Sequence, residues 1–303
     1  YPRAVELLRS GKRLLGNVPA ALSAVRNPVR VMQALRRNEM PWLDTRNHVP
    51  TRLDAGRSWL LKPRRSGGGH GIQRWSPGLS VPRGMYLQQQ MPGTAASVSF
   101  AANGSDAVVL GLSRQLVGKS EFGALPYRYC GSMTGPASAL FSRGTELLDL
   151  AGRIATVLTR EFQLVGLNGI DFIAHAEVPY LTEVNPRYSA SMELFERAGC
   201  GSIFDLHLRS CEGILPATTS MDRAVHGKAI VFARQDVQIG RSLGWTAHPW
   251  MADLPHPGER IAMARPICTV FARAKTAARC NHLLRQRAAA VYRALGSKSR
   301  RAA

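Results

Sequence analysis

Residues 166–187, G-L-N-G-I-D-F-I-A-H-A-E-V-P-Y-L-T-E-V-N-P-R, constrain this chain more than any other stretch. They read as two short strands, 168–174 and 179–184, joined by a turn near 175–178. Val, Ile, Phe, Tyr and Leu supply the strand-forming positions. Three oxygen donors interrupt this apolar hairpin: Asp171 in mid-strand, then Glu183 and Asn185 on the return. Glu183 and Asn185 are two apart, so an extended strand puts both side chains on one face. Asp171 reaches that face if the pairing register suits. Two carboxylates and an amide there form a hard, oxygen-only site of the kind Mg²⁺ accepts, with phosphates completing its shell. Arg187, just past Pro186, adds a fixed cationic fork for phosphate. The competing reading is an ordinary hairpin whose acids point into water. E-V-N-P-R following G-I-D-F weighs against it.

The stretch lies in a 303-residue chain that is 45% hydrophobic, enough for a sizeable core in one large domain or two to three smaller ones. No run of 18 uncharged apolar residues suggests a membrane span, and no signal peptide is recognisable. Five scattered cysteines (Cys130, Cys200, Cys211, Cys268, Cys280) form no C-x-x-C and read as reduced thiols of a cytoplasmic protein. The net charge of +20 invites a nucleic-acid reading. Yet the cations are mostly Arg spread over the whole length, and no basic run interleaves with stacking aromatics. General affinity for polyanions is expected; specific nucleic-acid recognition is not.

Residues 1–40 look helical. One broken stripe uses Ala4, Val5, Leu7, Leu8, Leu14 and Leu15 and stops at Gly16-Asn17. A second helix starts at Pro28, with Val31, Met32 and Leu35 inward. A short apolar strand, 58–63, carries Lys62 into the loop R-R-S-G-G-G-H-G-I. Four glycines in five positions (67–71) permit backbone conformations closed to other residues, so successive N–H groups can form an anion nest. Lys62 supplies a point charge beside it. No G-K-[ST] follows, so this is not the P-loop pattern. Further strands are expected at 72–75, 85–90, 97–102, 107–115, 228–234 and 267–273. Helices are expected at 143–161, 190–198, 203–213 and 275–295, with a Gly- and Pro-punctuated loop over 119–136.

In this order the pieces resemble the ATP-grasp superfamily of ATP-dependent carboxylate–amine or carboxylate–thiol ligases, over roughly residues 27–216. Lys62 with Ser66, Gly67, Gly68, Gly69, His70 and Gly71 resembles the lid over the nucleotide phosphates. Q-Q-Q-M-P-G resembles the adenine hinge, which implicates Gln89, Gln90 and Met91. G-I-D-F and E-V-N-P-R resemble the paired metal strands, placing Asp171, Glu183 and Asn185 on Mg²⁺ (or Mn²⁺) and Arg187 on phosphate. Arg187 and Lys62 are then the catalytic cations, and ATP with magnesium the cofactors. Departures are Gln89 where a hinge carboxylate is common, no acid in Thr94-Ala95-Ala96, and no upstream lysine near Pro28, where Arg26 or Arg30 stands in. H-G-K-A-I-V-F-A and P-I-C-T-V-F-A-R-A resemble the tail of a little-studied branch linked to one-carbon coenzyme biosynthesis.

The resemblance implies an α+β class: an ATP-grasp fold of two α+β subdomains clasping ATP, with a small β-rich C-terminal unit. The expected divisions are 1–50 (helical remnant of an N-terminal domain), 51–216 (ATP-grasp domain, lid roughly 58–118) and 217–303 (β-rich unit, closing helix and basic tail). The implied activity joins a small carboxylate to an amine through an acylphosphate, with no specific nucleic-acid partner, no membrane partner and a possible homodimer. A nucleotide-binding protein with weak or lost turnover is the alternative, and a basic polyanion binder a third. Leu7, Leu8, Leu14, Leu15, Leu22 and Val25 are expected to form an exposed patch, through which the chain dimerises or which marks it as a fragment.

Overall fold

The computed structural model describes residues 2–8, 11–49, 57–217, 221–240 and 244–296. The expected basic tail falls outside them from residue 297 onward. Three helices lead: α1 (Pro2–Leu8), α2 (Pro19–Val25) and α3 (Pro28–Arg37). Pro28 opens α3, where its missing N–H is no loss, and the Asn27 side chain caps the turn by accepting from Val29 and Arg30. The single helical stripe expected up to Leu15 is not formed. The described part of α1 reaches Leu8, Gly11 is left-handed at φ 68°, and Leu14 and Leu15 lie outside any helix.

Four strands then build a small antiparallel sheet: β1 (Thr45–Arg46), β2 (Trp59–Pro63), β3 (Gln73–Trp75) and β4 (Met85–Gln89), in the order β1-β4-β2-β3. Trp59, Leu61, Trp75 and Leu87 form its own apolar cluster. The chain continues through β5 (Thr94–Asn103), β6 (Ala107–Val117), β7 (Tyr129–Thr134), α4 (Ala137–Leu140), α5 (Gly144–Phe162), β8 (Val165–His175) and β9 (Val178–Asn185). After α6 (Glu193–Arg197) and α7 (Ile203–Cys211) come β10 (Val225–Phe232), β11 (Val237–Gln238), β12 (Met251–Ala252), β13 (Arg260–Ile261), β14 (Pro266–Ala274) and α8 (Ala277–Gly296). The large sheet has eight strands in the order β12-β14-β10-β7-β6-β5-β8-β9, while β11 and β13 pair separately.

Alternation on β5 separates the two faces of that sheet. Ala96, Val98, Phe100 and Ala102 join Leu147, Ile154 and Leu158 of α5 in the main core. Each of the larger ones, Val98, Phe100, Leu147, Ile154 and Leu158, contributes about 1.5–3 kcal/mol relative to exposure. On the other face Ala101, Leu110 and Leu167 meet Met192, Phe195 and Ile203 from the α6–α7 region. The remainder of that face is polar, and the candidate site lies there.

Two differences from the sequence expectations concern this sheet. The stretch read as loop, 119–136, contains β7, a central strand whose residues 130–134 are all buried. Its sequence Y-C-G-S-M-T has little strand character, because Gly131 is there for close approach. A Cβ at Gly131 would lie 2.1 Å from the carbonyl oxygen of Lys228 on β10. Three of the strands after 217 (β10, β12 and β14), expected in a separate unit, extend this same sheet: β10 pairs with β7 from His226↔Thr134 to Ala229↔Gly131. Burial of nearly all of β10 leaves it no independent existence at an edge.

Gly131→Ala therefore forces β7 and β10 apart and should cost roughly 1–3 kcal/mol, the usual range for overpacking. Gly67→Ala, with open space around the position, should be nearly neutral. Chemical denaturation of both variants checks this, and equal stabilities would contradict the pairing.

Candidate active site

The β8–β9 hairpin pairs Asp171 directly with Glu183, and Gly169 with Asn185. Directly opposed residues share a face, so the register brings the two carboxylates and the amide together. Asn185 Nδ2 donates to Asp171 Oδ2 at 2.9 Å, and Gln115 Nε2 on β6 donates to Asp171 Oδ1 at 2.9 Å. Arg187 donates to Asn185 Oδ1 at 3.3 Å. Burial and the facing Glu183 hold the Asp171 carboxyl well above the usual range, against the opposing pull of Asn185, Gln115 and Lys62. Glu183 keeps an edge accessible to solvent, but protein crowding raises its pKa too, while Lys62, Arg187 and Arg26 pull it down.

Lys62 reaches this pair from the small sheet. It is 8% exposed, and its ammonium donates to Gln88 Oε1 at 2.9 Å and to the Thr182 carbonyl at 3.2 Å. Burial lowers its pKa, and Glu183 and Asp171 oppose that shift. Two cations lie near the Tyr86 ring, with Lys62 Nζ 5.7 Å and Arg64 Cζ 5.8 Å from its centroid. The glycine loop leaves β2 immediately afterwards. Gly68, Gly69 and Gly71 are all left-handed, the Ser66 hydroxyl bonds the His70 carbonyl, and the Gly68 carbonyl accepts from Tyr129 N–H at 3.0 Å. A Cβ at Gly69 would sit 1.7 Å from the Tyr127 carbonyl oxygen. The loop thus rests against the entry to β7, and glycine is what lets it do so.

A cleft of about 830 Å³ opens here. Of the expected residues, Lys62, Ser66, Gly67, Gly69, Glu183, Asn185 and Arg187 line it. Asp171 stands behind Asn185, and Gly68, His70 and Gly71 belong to the same loop without lining the cleft. Gln89, Gln90 and Met91 do not line it either; the Gln89 and Gln90 N–H groups donate to the Asp44 and Ser58 carbonyls, each at 2.8 Å. Gln88 and Tyr86 occupy that wall instead. Arg26, not Arg30, lines the cleft and faces Glu183 electrostatically. Leu14, Leu15, Leu22 and Val25 line it as well; Leu7 and Leu8 are 72% and 73% exposed, whereas Val25 is buried.

Sequence reasoning missed Gln115 and Asn17. Strand alternation on β6 was the available signal for Gln115. For Asn17 no local signal existed, since its partners are distant. It donates to Asn168 Oδ1 at 2.8 Å and to the Pro186 carbonyl at 3.1 Å, and it accepts from Val165 N–H at 2.9 Å. This buried amide ties the chain before α2 to the backbone beside Arg187.

Among the described residues no group of three His, Cys, Asp or Glu side chains is arranged to hold a metal ion. The donors here are two carboxylates and one amide. They fit a hard divalent cation, because two carboxylates oppose each other across the hairpin and the Glu183 charge adds to the cost of ionising Asp171.

A small sheet with a glycine loop, closed over a large sheet bearing paired acids, defines a nucleotide-clasping fold. A family model described as an ATP-grasp domain matches residues 25–191, and the chain belongs to that family. It is similar to a putative ATP-grasp superfamily protein from Archaeoglobus fulgidus, with TM-score 0.57 and 21% identity, covering 88% of this chain and 71% of that one. The fold also matches carboxyaminoimidazole ribonucleotide synthase from Aspergillus clavatus complexed with ATP, with TM-score 0.70 and 14% identity over 96% of this chain and 79% of the other. A third similar structure is the biotin carboxylase domain of Hydrogenobacter thermophilus 2-oxoglutarate carboxylase with MgADP, with TM-score 0.66 and 13% identity, covering 91% and 67%. An uncharacterized protein of Methanocaldococcus jannaschii is 20% identical over 86% of this chain, which spans 64% of that protein's length. No helix among the described residues is long and apolar enough to cross a membrane.

Asn17→Ala leaves Val165 N–H and the Asn168 amide without their buried partner, and should destabilise the protein by about 2 kcal/mol. Chemical denaturation measures this; an unchanged midpoint would mean that the amide ties nothing.

Proposed function

We propose that the chain is an ATP-dependent ligase that joins a carboxylate to an amine through an acylphosphate, releasing ADP and phosphate. The observation that carries this reading is the Asp171–Glu183 cross-strand pair, faced by buried Lys62 from the opposite sheet. One surface would hold a cation and the other would neutralise phosphate. Asp171, Glu183 and Asn185 would hold Mg²⁺, which when bound balances the phosphate charge. Lys62 and the N–H groups of the glycine loop would enclose the phosphates, and Arg187 would add a forked donor where charge develops.

The substrate carboxylate attacks the γ-phosphorus as the bond to ADP breaks, and the amine then displaces phosphate from the acyl carbon. Little covalent chemistry falls to side chains; positioning and charge stabilisation do the work. Docking of the loop on Tyr127 supports a lid that keeps water from the acylphosphate. Arg26 takes the place of the absent upstream lysine in this scheme, since it lines the cleft beside Glu183.

Glu183→Gln should keep the fold and lose at least tenfold in Mg-ATP affinity by calorimetry, because an amide cannot balance the cation. Unchanged affinity would remove the metal assignment. Lys62→Ala should weaken ATP most, ADP less and adenosine least, as only phosphates meet the ammonium. Equal loss for all three would make Lys62 structural. Carboxylate- and amine-dependent ADP release by the wild type tests the reaction itself.

A further inference from the structure

Hydrogen bonds divide the cleft into two unlike ends. Under the small sheet, Lys62 holds Gln88 and the Thr182 carbonyl, and Gln88 donates to the Thr45 hydroxyl at 3.4 Å. That hydroxyl donates in turn to the Leu43 carbonyl at 2.9 Å. Leu43 and Leu181 are the apolar lining there, 2% and 5% exposed. At the other end Asn17 donates to the Pro186 carbonyl, and His207 on α7 lies 3.2 Å from the Leu15 carbonyl. Residues 14–17, residues 186–188 and α7 therefore adjoin.

This second end keeps its apolar surface open. Leu14, Leu15, Leu22, Tyr188 and Phe204 line it, and Leu15, Tyr188 and Phe204 are 42%, 48% and 69% exposed. Large apolar side chains gathered in a cavity, rather than scattered singly over a surface, mark a ligand site. His207 adds no free polar group. Leu167 N–H donates to its Nδ1 at 3.0 Å, so the ring proton sits on Nε2 and faces the Leu15 carbonyl. Glu196 also lines this end, with Oε1 accepting from Ile203 N–H at 2.9 Å, and its charge disfavours a second carboxylate on the ligand there. Two cations stand beside the apolar group. Arg187 donates to the Tyr188 carbonyl at 2.9 Å. Arg26 lies one helical turn beyond Leu22, its N–H bonded to the Leu22 carbonyl at 3.2 Å.

We propose that the acid substrate carries an apolar chain or ring, which packs against Leu15, Leu22 and Phe204 while its carboxylate meets Arg187 and Arg26. The inference rests on the ligase reading for the identity of the occupant. The nucleotide base is the weaker candidate, because Leu43 and Leu181 already give it an apolar wall beside Gln88. Leu15, Leu22 and Phe204 lie outside the 25–191 stretch that matches the family, so this wall belongs to what distinguishes the chain within it.

Thermal unfolding of the full chain, titrated with acetate, butyrate, hexanoate or succinate with and without saturating Mg-ADP, tests the proposal. The concentration giving a fixed rise in midpoint should fall about three- to fourfold for each added methylene, and succinate should trail butyrate. Phe204→Ser and Leu15→Ser change exposed residues, so both should fold; they should keep the acetate response and need about tenfold more hexanoate. Leu125→Ser, at a position 59% exposed outside the cleft, should behave as the wild type. Equal responses to acetate and hexanoate, an unchanged hexanoate response in both cleft variants, or the same loss in Leu125→Ser would overturn the proposal. So would cleft variants that weaken adenosine as much as hexanoate, since the wall would then belong to the base. A Phe204-dependent hexanoate response in a protein that ignores Mg-ADP would sink the ligase reading and leave the apolar subsite standing. A response to Mg-ADP without any dependence on chain length would do the reverse.

Discussion

Two carboxylates held face to face on adjacent strands are the costly element on which the rest of this molecule is arranged. Asp171 and Glu183 are ladder partners, so neither can turn away without breaking the hairpin register. Burial disfavours the ionised form of both, and the Glu183 charge adds to the cost at Asp171. What compensates comes from separate parts of the chain: Lys62 from β2, Gln115 from β6, Asn185 beside the pair and Arg26 from the helical lead. The small sheet must dock on the large one for Lys62 to reach the Thr182 carbonyl, and that docking creates the cleft.

The same constraint explains where the structure is tight and where it is open. Gly69 and Gly131 stand where a side chain would collide with another backbone. One sets the glycine loop against Tyr127, and the other brings β10 against β7. A sheet face with serine, threonine, glutamine and lysine in consecutive strands contributes little to hydrophobic stability. The opposite face, packed on α5, supplies that instead.

Much of the architecture was readable from local pattern. The β8–β9 hairpin, the β5–β6 hairpin and α5 follow from strand alternation, a turn signal and a helical apolar stripe that the structure reproduces within a few residues. The carboxylate pair was legible as residues, but only the register shows that Asp171 and Glu183 oppose each other. β7 was not legible, because its fitness as a central strand comes from Gly131 and its neighbours rather than from its own propensity. Asn17 was not legible either, since a clamp spanning 151 residues to Asn168 leaves no local trace. The shared sheet beyond residue 217 was hidden for the same reason: pairing between β7 and β10 is a long-range property.

The most direct test of the central claim is the stoichiometry and nucleotide dependence of divalent-cation binding, followed by electron paramagnetic resonance of Mn²⁺ titrated into the wild-type chain with and without ATP. If the Asp171–Glu183 pair is a cation site completed by phosphates, Mn²⁺ becomes tightly bound when ATP is present, and Asp171→Asn removes that bound fraction. Mn²⁺ that stays free in the presence of ATP, or that binds equally well to Asp171→Asn, would contradict the account.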